Sequence, residues 1–160
     1  MIIKAPNRIN DTGKVKIFLA GAIDVGRADF WQTEVGNFLD KKFQDSIVVY
    51  DPRRPDWDDT WVQSIDDSNF NEQVNWELEH IDKSDIQVVY FTKDSKAPIT
   101  FLELGHMSRN PHKQIVYCPD GFYRKGNVDI FCKRYGIFNT PDINTFYKTL
   151  ENKISAQLIR

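Results

Sequence analysis

The strongest constraint on this chain is a series of short, almost wholly apolar runs. VKIFLA (15–20), SIVVY (46–50), IQVVYF (86–91) and QIVYC (114–118) lack a continuous polar face. Runs of this kind suit strands covered on both sides, as in a parallel sheet. Between them, apolar residues recur at helical spacing. Trp31, Val35, Phe38 and Leu39 mark one helix, and Phe70, Val74, Leu78 and Ile81 a second. A short helix begins near Thr100, and another opens at Gly126 and Asn127 and runs through Val128, Cys132 and Tyr135. Ile137-Phe138 is a brief fifth strand. Pro141, placed at the first position of a last helix, precedes the stripe Ile143, Phe146, Tyr147, Leu150 and Ile154. Successive β–α units predict an α/β three-layer sandwich: a parallel sheet of about five strands, helices on both faces, in flavodoxin-like order. Ligands of such sheets bind beyond the carboxyl ends of the strands. The loops after residues 20, 50, 91 and 118 are therefore where functional residues are expected.

Composition narrows the class. The 160 residues are 41% hydrophobic, enough for a core and one domain spanning 1–160. Lys plus Arg number 21 and Asp plus Glu 23, a net charge of −2 that does not fit a generic nucleic-acid binder. No run approaches the roughly 20 apolar residues of a membrane span, and MIIKAPNRIN has no signal-peptide core. Cys118 and Cys132 do not make a disulfide scaffold. His80, His106 and His112 show no ligand spacing, so no metal site is expected. The expectation is a soluble, cytoplasmic protein.

Each loop carries two readings. In GAIDVGR, Gly21 and Gly26 either admit a ligand close to the backbone or make a tight turn. In DPRRPDWDDTW, Arg53, Arg54, Trp57 and Trp61 either hold an anion and stack a ring, or form a solvated loop with a packed lid. Glu77 in NEQVNWELE falls on or beside the apolar stripe of its helix, where a carboxylate is costly without a partner. Thr100 and Glu103 fit an S/T-x-x-E capping box. Glu103 also stands in a first helical turn at the ligand edge of the sheet. Asn127 and Asp129 suit the start of a helix as cap and first-turn acid.

Taken together, IFLAGAID, DPRRPDW, QVNWE…ID.SD, ITFLELG and YRKGNVDI resemble the nucleoside 2-deoxyribosyltransferases, especially their divergent deoxyribosyltransferase-like branch, over about residues 15–137. The resemblance implies a flavodoxin-like fold and retaining transfer of 2-deoxyribose between nucleobases, without a cofactor. It makes Glu103 the nucleophile that forms a covalent glycosyl-enzyme, kept ionised by the helix dipole at a first-turn position. Glu77 falls where the family has an acid, usually Asp, that holds the sugar or orients the nucleophile. Gly21, Ala22, Asp24, Arg53 and Trp57 join the substrate site. Asn127 and Asp129 match an Asn-x-Asp pattern that reaches the sugar's 5′ side from a neighbouring subunit, implying a homo-oligomer. The family's base-handling Asp, six residues before the nucleophile, is replaced here by Ala97, with Asp94 nearby as a substitute. GAIDVGRAD also resembles the loop of 2′-deoxynucleoside 5′-monophosphate N-glycosidases, which hydrolyse the same bond. Asp24 stands unfavourably toward a phosphate there, with Arg53 or Arg54 as an offset. The expected partners are a 2′-deoxyribonucleoside and a free base, with no nucleic-acid polymer and no membrane.

Overall fold

The computed structural model describes residues 1–23 and 30–159. Among them, six strands form one all-parallel sheet: β1 (Ile2–Lys4), β2 (Val15–Gly21), β3 (Ile47–Asp51), β4 (Ile86–Tyr90), β5 (Gln114–Tyr117) and β6 (Phe138–Thr140). Their order is β1-β3-β2-β4-β5-β6. With β1 set aside, this is the flavodoxin-like order expected from the alternation. The sixth strand is the correction: β1 pairs with β3 through Ile2, Ile3 and Lys4 at the sheet's edge.

Alternation along each strand sends side chains to two separate cores. Ile17, Leu19, Ile47, Val49, Ile86, Val88 and Ile115 pack against α1 (Trp31–Phe43) and α5 (Ile143–Leu158). Phe18, Ala20, Val48, Tyr50, Val89 and Val116 pack against α2 (Ser68–Lys83), α3 (Pro98–Met107) and α4 (Lys125–Tyr135). Both faces of the sheet are thereby covered, which explains why the strands read as apolar at nearly every position.

Three helix details differ from the sequence expectation. The inward stripe of α2 is Gln73, Trp76, His80 and Ile81, while Leu78 is exposed. The stripe is rotated because the large Trp76 ring packs near Phe18 and Tyr50 and stacks on His80. Helix α3 starts at Pro98 with Ala97 as its N-cap, so Thr100 lies inside the helix and no capping box forms with Glu103. Pro141 precedes the last helix instead of opening it. Asp142 is that helix's N-cap, its carboxylate accepting from the Thr145 amide at 2.7 Å.

The strand order reverses between β2 and β4. Gly21, the last residue of β2, lies opposite Tyr90, the last of β4. A Cβ at Gly21 would stand 2.4 Å from Trp31 Cζ2 and 2.5 Å from the Tyr90 carbonyl oxygen. The Trp31 ring stacks on Tyr90 with centroids 4.6 Å apart. The glycine is thus required for this close packing. We expect Gly21→Ala to destabilise the fold by about 2–4 kcal/mol. Gly105→Ala, inside α3 with open space around its Cβ position, should instead stabilise by about 0.5–1 kcal/mol. Urea denaturation of the two variants checks both signs.

Candidate active site

The crossing from β3 through α2 to β4, and onward into α3, brings two acidic side chains to the carboxyl edge at the reversal point. Both helices pack on β2. Glu103 of α3 faces inward and keeps only 8% of its surface exposed. It is therefore turned away from bulk solvent. Glu77 of α2 is half-buried, and its Oε1 accepts a hydrogen bond from Gln73 Nε2 at 2.8 Å. The same Nε2 donates to the Pro52 carbonyl at 2.8 Å. Gln73, itself buried, thereby ties Glu77 to the loop that leaves β3. Sequence reasoning passed over Gln73, although a Gln four residues before a Glu on one helix face was the available signal.

The electrostatics depart from expectation. Glu103 is the sixth residue of α3, and the first turn holds no acid, so the helix dipole does not act on it strongly. Burial pushes its carboxyl well above the usual carboxylate range, and the nearby Glu77 charge pushes it further in the same direction. Burial raises Glu77 to about 7, with the Gln73 hydrogen bond pulling the other way. Two carboxyls in one water-poor place do not both ionise readily. The pair is therefore biased toward holding a proton near neutral pH, and the expected first-turn position of Glu103, with its helix-dipole support, is corrected.

The other candidate residues fall into distinct groups. The Ala22 carbonyl accepts from Trp31 Nε1 at 3.1 Å, and Ala22 is buried in the core on the α2–α4 face. Asp24 and Gly26 lie outside the described residues. Arg53 reaches over the Phe30 ring, its Cζ 4.9 Å from the centroid. Arg54 is held by Asp56 at 2.9 Å and Glu72 at 2.8 Å and covers Trp61 at 4.8 Å. Trp57 packs on Trp61 with centroids 5.1 Å apart and donates its Nε1 to Asp59 at 3.0 Å. Asp94 is exposed. Ala97 is buried with φ 48° and ψ 48°, a left-handed conformation that Asn, Asp or Gly adopts more readily than Ala.

Asn127 and Asp129 are not brought together. Asn127 is exposed and lines two open grooves between α3 and α4, of about 180 and 350 Å³. Phe101 lines both, and neither is lined by Glu77 or Glu103. Asp129 is engaged within its own chain, accepting from Lys125 Nζ and Asn139 Nδ2, each at 2.6 Å. Among the described residues, no group of three or more His, Cys, Asp or Glu is arranged to hold a metal ion. No described helix is long and apolar enough to cross a membrane.

Residues 14–122 match the family described as nucleoside 2-deoxyribosyltransferase like. The chain belongs to that family. The match spans most of the chain and includes Glu77 and Glu103 with the strands that position them, and it ends before Asn127 and Asp129. No curated protein matches the chain. As in other α/β proteins, a shared domain does not by itself fix the reaction, so this nucleoside 2-deoxyribosyltransferase-like chain has to be read from its own site.

The carboxyl pair has a consequence for stability. In the unfolded chain both glutamates titrate near 4.5, and folding raises both. A raised carboxyl stabilises the fold fully below its unfolded value, and that contribution is lost as pH climbs through the folded value. Glu77→Gln removes one titrating group and keeps an acceptor oxygen for Gln73. At pH 8 it should be more stable than the parent by about 1–3 kcal/mol. The gap should close on acidification to pH ~4. Urea melts at the two pH values measure it, and a gap independent of pH would contradict the burial of this pair.

Proposed function

We propose that the protein cleaves the N-glycosidic bond of a 2′-deoxyribonucleoside and transfers the 2-deoxyribosyl group to a second nucleobase through a covalent bond to Glu103. The observation that carries this is the pairing of the buried Glu103 with the half-buried Glu77 where the strand order reverses. Family membership supports the nucleoside as the substrate class.

The protonation of the pair fits the chemistry. With one proton between them, the pair offers an anion to attack and an acid to donate. The shared proton passes from Glu103 to Glu77 as positive charge develops at the sugar; the ionised Glu103 oxygen attacks the anomeric carbon as the carbon–nitrogen bond breaks, and the electron pair leaves with the base. Glu77 gives its proton to the departing base. The acceptor base then attacks the same carbon, displaces Glu103, and returns a proton to Glu77. Positive charge developing at the sugar draws the anion onto Glu103 in the transition state. A sugar without a 2′-hydroxyl reaches that state more easily, so the pair suffices with no cofactor. Gln73 holds the Glu77 carboxyl in place from the β3 loop.

A second reading is hydrolysis, with water in place of the acceptor base. Ala97 favours it. The family's base-handling acid is missing there, so a second base has fewer polar contacts to hold it. Incubating the protein with deoxyadenosine and free cytosine, followed by chromatography, separates the outcomes. Deoxycytidine marks transfer, adenine alone marks hydrolysis, and no change removes the catalytic proposal for these bases. Glu103→Ala should lower turnover by about 10³-fold or more while leaving the fold intact. Undiminished activity would remove the nucleophile assignment.

The proposed pH dependence follows from the pair. Activity as kcat/KM should rise with pH toward neutrality as the first proton leaves, then fall when the donor is lost. The Glu77 charge raises Glu103 and so acts on the second proton; Glu77→Gln removes the donor and should lower the plateau and abolish the falling limb. A falling limb that survives Glu77→Gln would show that Glu77 is not the proton donor.

We also propose that the working form is a homo-oligomer assembled over α3. This helix is apolar on nearly every side: Thr100, Leu104 and Met107 face the core, yet Ile99 and Leu102 are 59% and 69% exposed. A helix apolar all round is a helix that is covered. Asn127 lines the grooves beside the same helix with Phe101, from where it would reach a second copy's site. Leu102→Asp should shift sedimentation from an oligomer to a monomer and take turnover with it. A parent protein that sediments as a monomer would overturn the assembly.

A further inference from the structure

The turn that leaves β3 is built around a buried acid. Asp51 ends the strand with 1% of its surface exposed. Its Oδ1 accepts from the Arg53 amide at 2.9 Å, closing an Asx-turn over Pro52. Its Oδ2 lies 3.5 Å from Lys4 Nζ, and its carbonyl accepts from the Ala5 amide at 3.1 Å. Burial pushes the Asp51 carboxyl up, and the Arg53 amide and Lys4 draw it back. An apolar residue would fill a buried strand end without that cost. What the acid provides is a fixed turn, and with it a fixed direction for the Pro52 carbonyl.

That carbonyl decides how Gln73 is oriented. Gln73 Nε2 donates to the Pro52 carbonyl and to Glu77 Oε1, each at 2.8 Å. Both of its protons are thereby used. Its own Oε1 is shielded from water and accepts no hydrogen bond, so the side chain forgoes one bond to keep two. Turned over, the amide would set its oxygen against two acceptors, the Pro52 carbonyl and the Glu77 carboxyl. The Pro52 carbonyl therefore keeps a donor aimed at Glu77. A donor favours the ionised carboxylate, and Gln73 draws Glu77 down against its burial. The other charged groups at this edge do not take that role. Asp51 is engaged by Lys4 and the Arg53 amide, and Arg54 by Asp56 and Glu72. Glu103 of α3 couples to Glu77 in the opposite sense, since each carboxylate charge raises the other.

We propose that Asp51 is a positioning residue for the proton donor: through the Pro52 carbonyl and Gln73 it keeps Glu77 ready to release its proton to the departing base. This rests on the reading of Glu77 as the donor in sugar transfer. Asp51 acts through Gln73 and not by its own charge.

The test is carbon-13 NMR titration of the Glu77 carboxyl in the folded parent and its variants, a readout that needs no turnover. Gln73→Leu should move the Glu77 midpoint up by about one pH unit, the worth of one hydrogen bond to a charged group. Asp51→Ala should move it in the same direction. Asp51→Asn keeps an acceptor for the Arg53 amide and should restore the parent midpoint. Adding Asp51→Ala to Gln73→Leu should raise Glu77 no further, because the two act in series. A direct effect of the Asp51 charge has the opposite sign: its removal would lower Glu77 in both Asp51→Ala and Asp51→Asn. Circular dichroism shows which variants fold. Asp51→Val, suited to a buried strand end, repeats the measurement if the alanine variant does not. Failure of both to fold beside a folded Asp51→Asn assigns Asp51 to stability alone and overturns the proposal. So does a Glu77 midpoint that is unmoved or lowered in Gln73→Leu or in a folded Asp51→Ala or Asp51→Val. Base release by a parent whose relay fails in this way leaves the sugar-transfer reading standing. Midpoints that move as stated in a parent that releases no base uphold the relay to Glu77 and remove the sugar-transfer reading.

Discussion

Two carboxyl groups held in one poorly hydrated place form the constraint on which the rest of this molecule depends. Glu103 is buried on α3, Glu77 is half-buried on α2, and each disfavours the other's charge. Such a pair lowers stability at neutral pH, and nothing in the packing of a sheet calls for it. The surrounding structure is arranged to keep it. Gln73 fixes Glu77 to the β3 exit, and Gly21 removes the side chain that would push Trp31 from the end of β2. In the function we propose, the same tension serves to divide the roles of nucleophile and proton donor between chemically identical groups.

Topology supplies the meeting place. In an all-parallel sheet every strand exit lies on one edge, and the exits of neighbouring strands diverge where the order reverses. Here β3 lies on one side of β2 and β4 on the other. The helices that follow β3 and β4 return over the same face and deliver one acid each. The loops carrying Arg53 and Phe30 leave from the same edge. Residues far apart in the chain are thus brought to one edge of the sheet.

Much of this was legible in the sequence, for identifiable reasons. Strands β2 to β5 announce themselves because burial on both faces leaves no polar alternation. The segment IIK at β1 carries no such signal: three residues are too few, and its pairing depends on an edge that only the folded sheet provides. The stripe of α2 misleads because Phe70, Val74 and Leu78 are more apolar than Gln73 and His80, yet tertiary packing of Trp76 decides the rotation. Glu103 and Glu77 were recognisable as candidates by position. Their mutual repulsion was not, since it depends on the order β3-β2-β4. The left-handed turn at Ala97 likewise leaves no sequence trace, and it moved the start of α3 so that Glu103 sits beyond the reach of the helix dipole.

The carboxyl pair itself is open to direct observation. Carbon-13 labelling of glutamate side chains, with Glu77→Gln and Glu103→Gln used for assignment, allows each carboxyl to be titrated by NMR in the folded protein. The account requires Glu77 to titrate at about 7 and Glu103 well above the ordinary carboxylate range, each responding to removal of the other. Two independent titrations near the ordinary glutamate value of about 4.3 would contradict it.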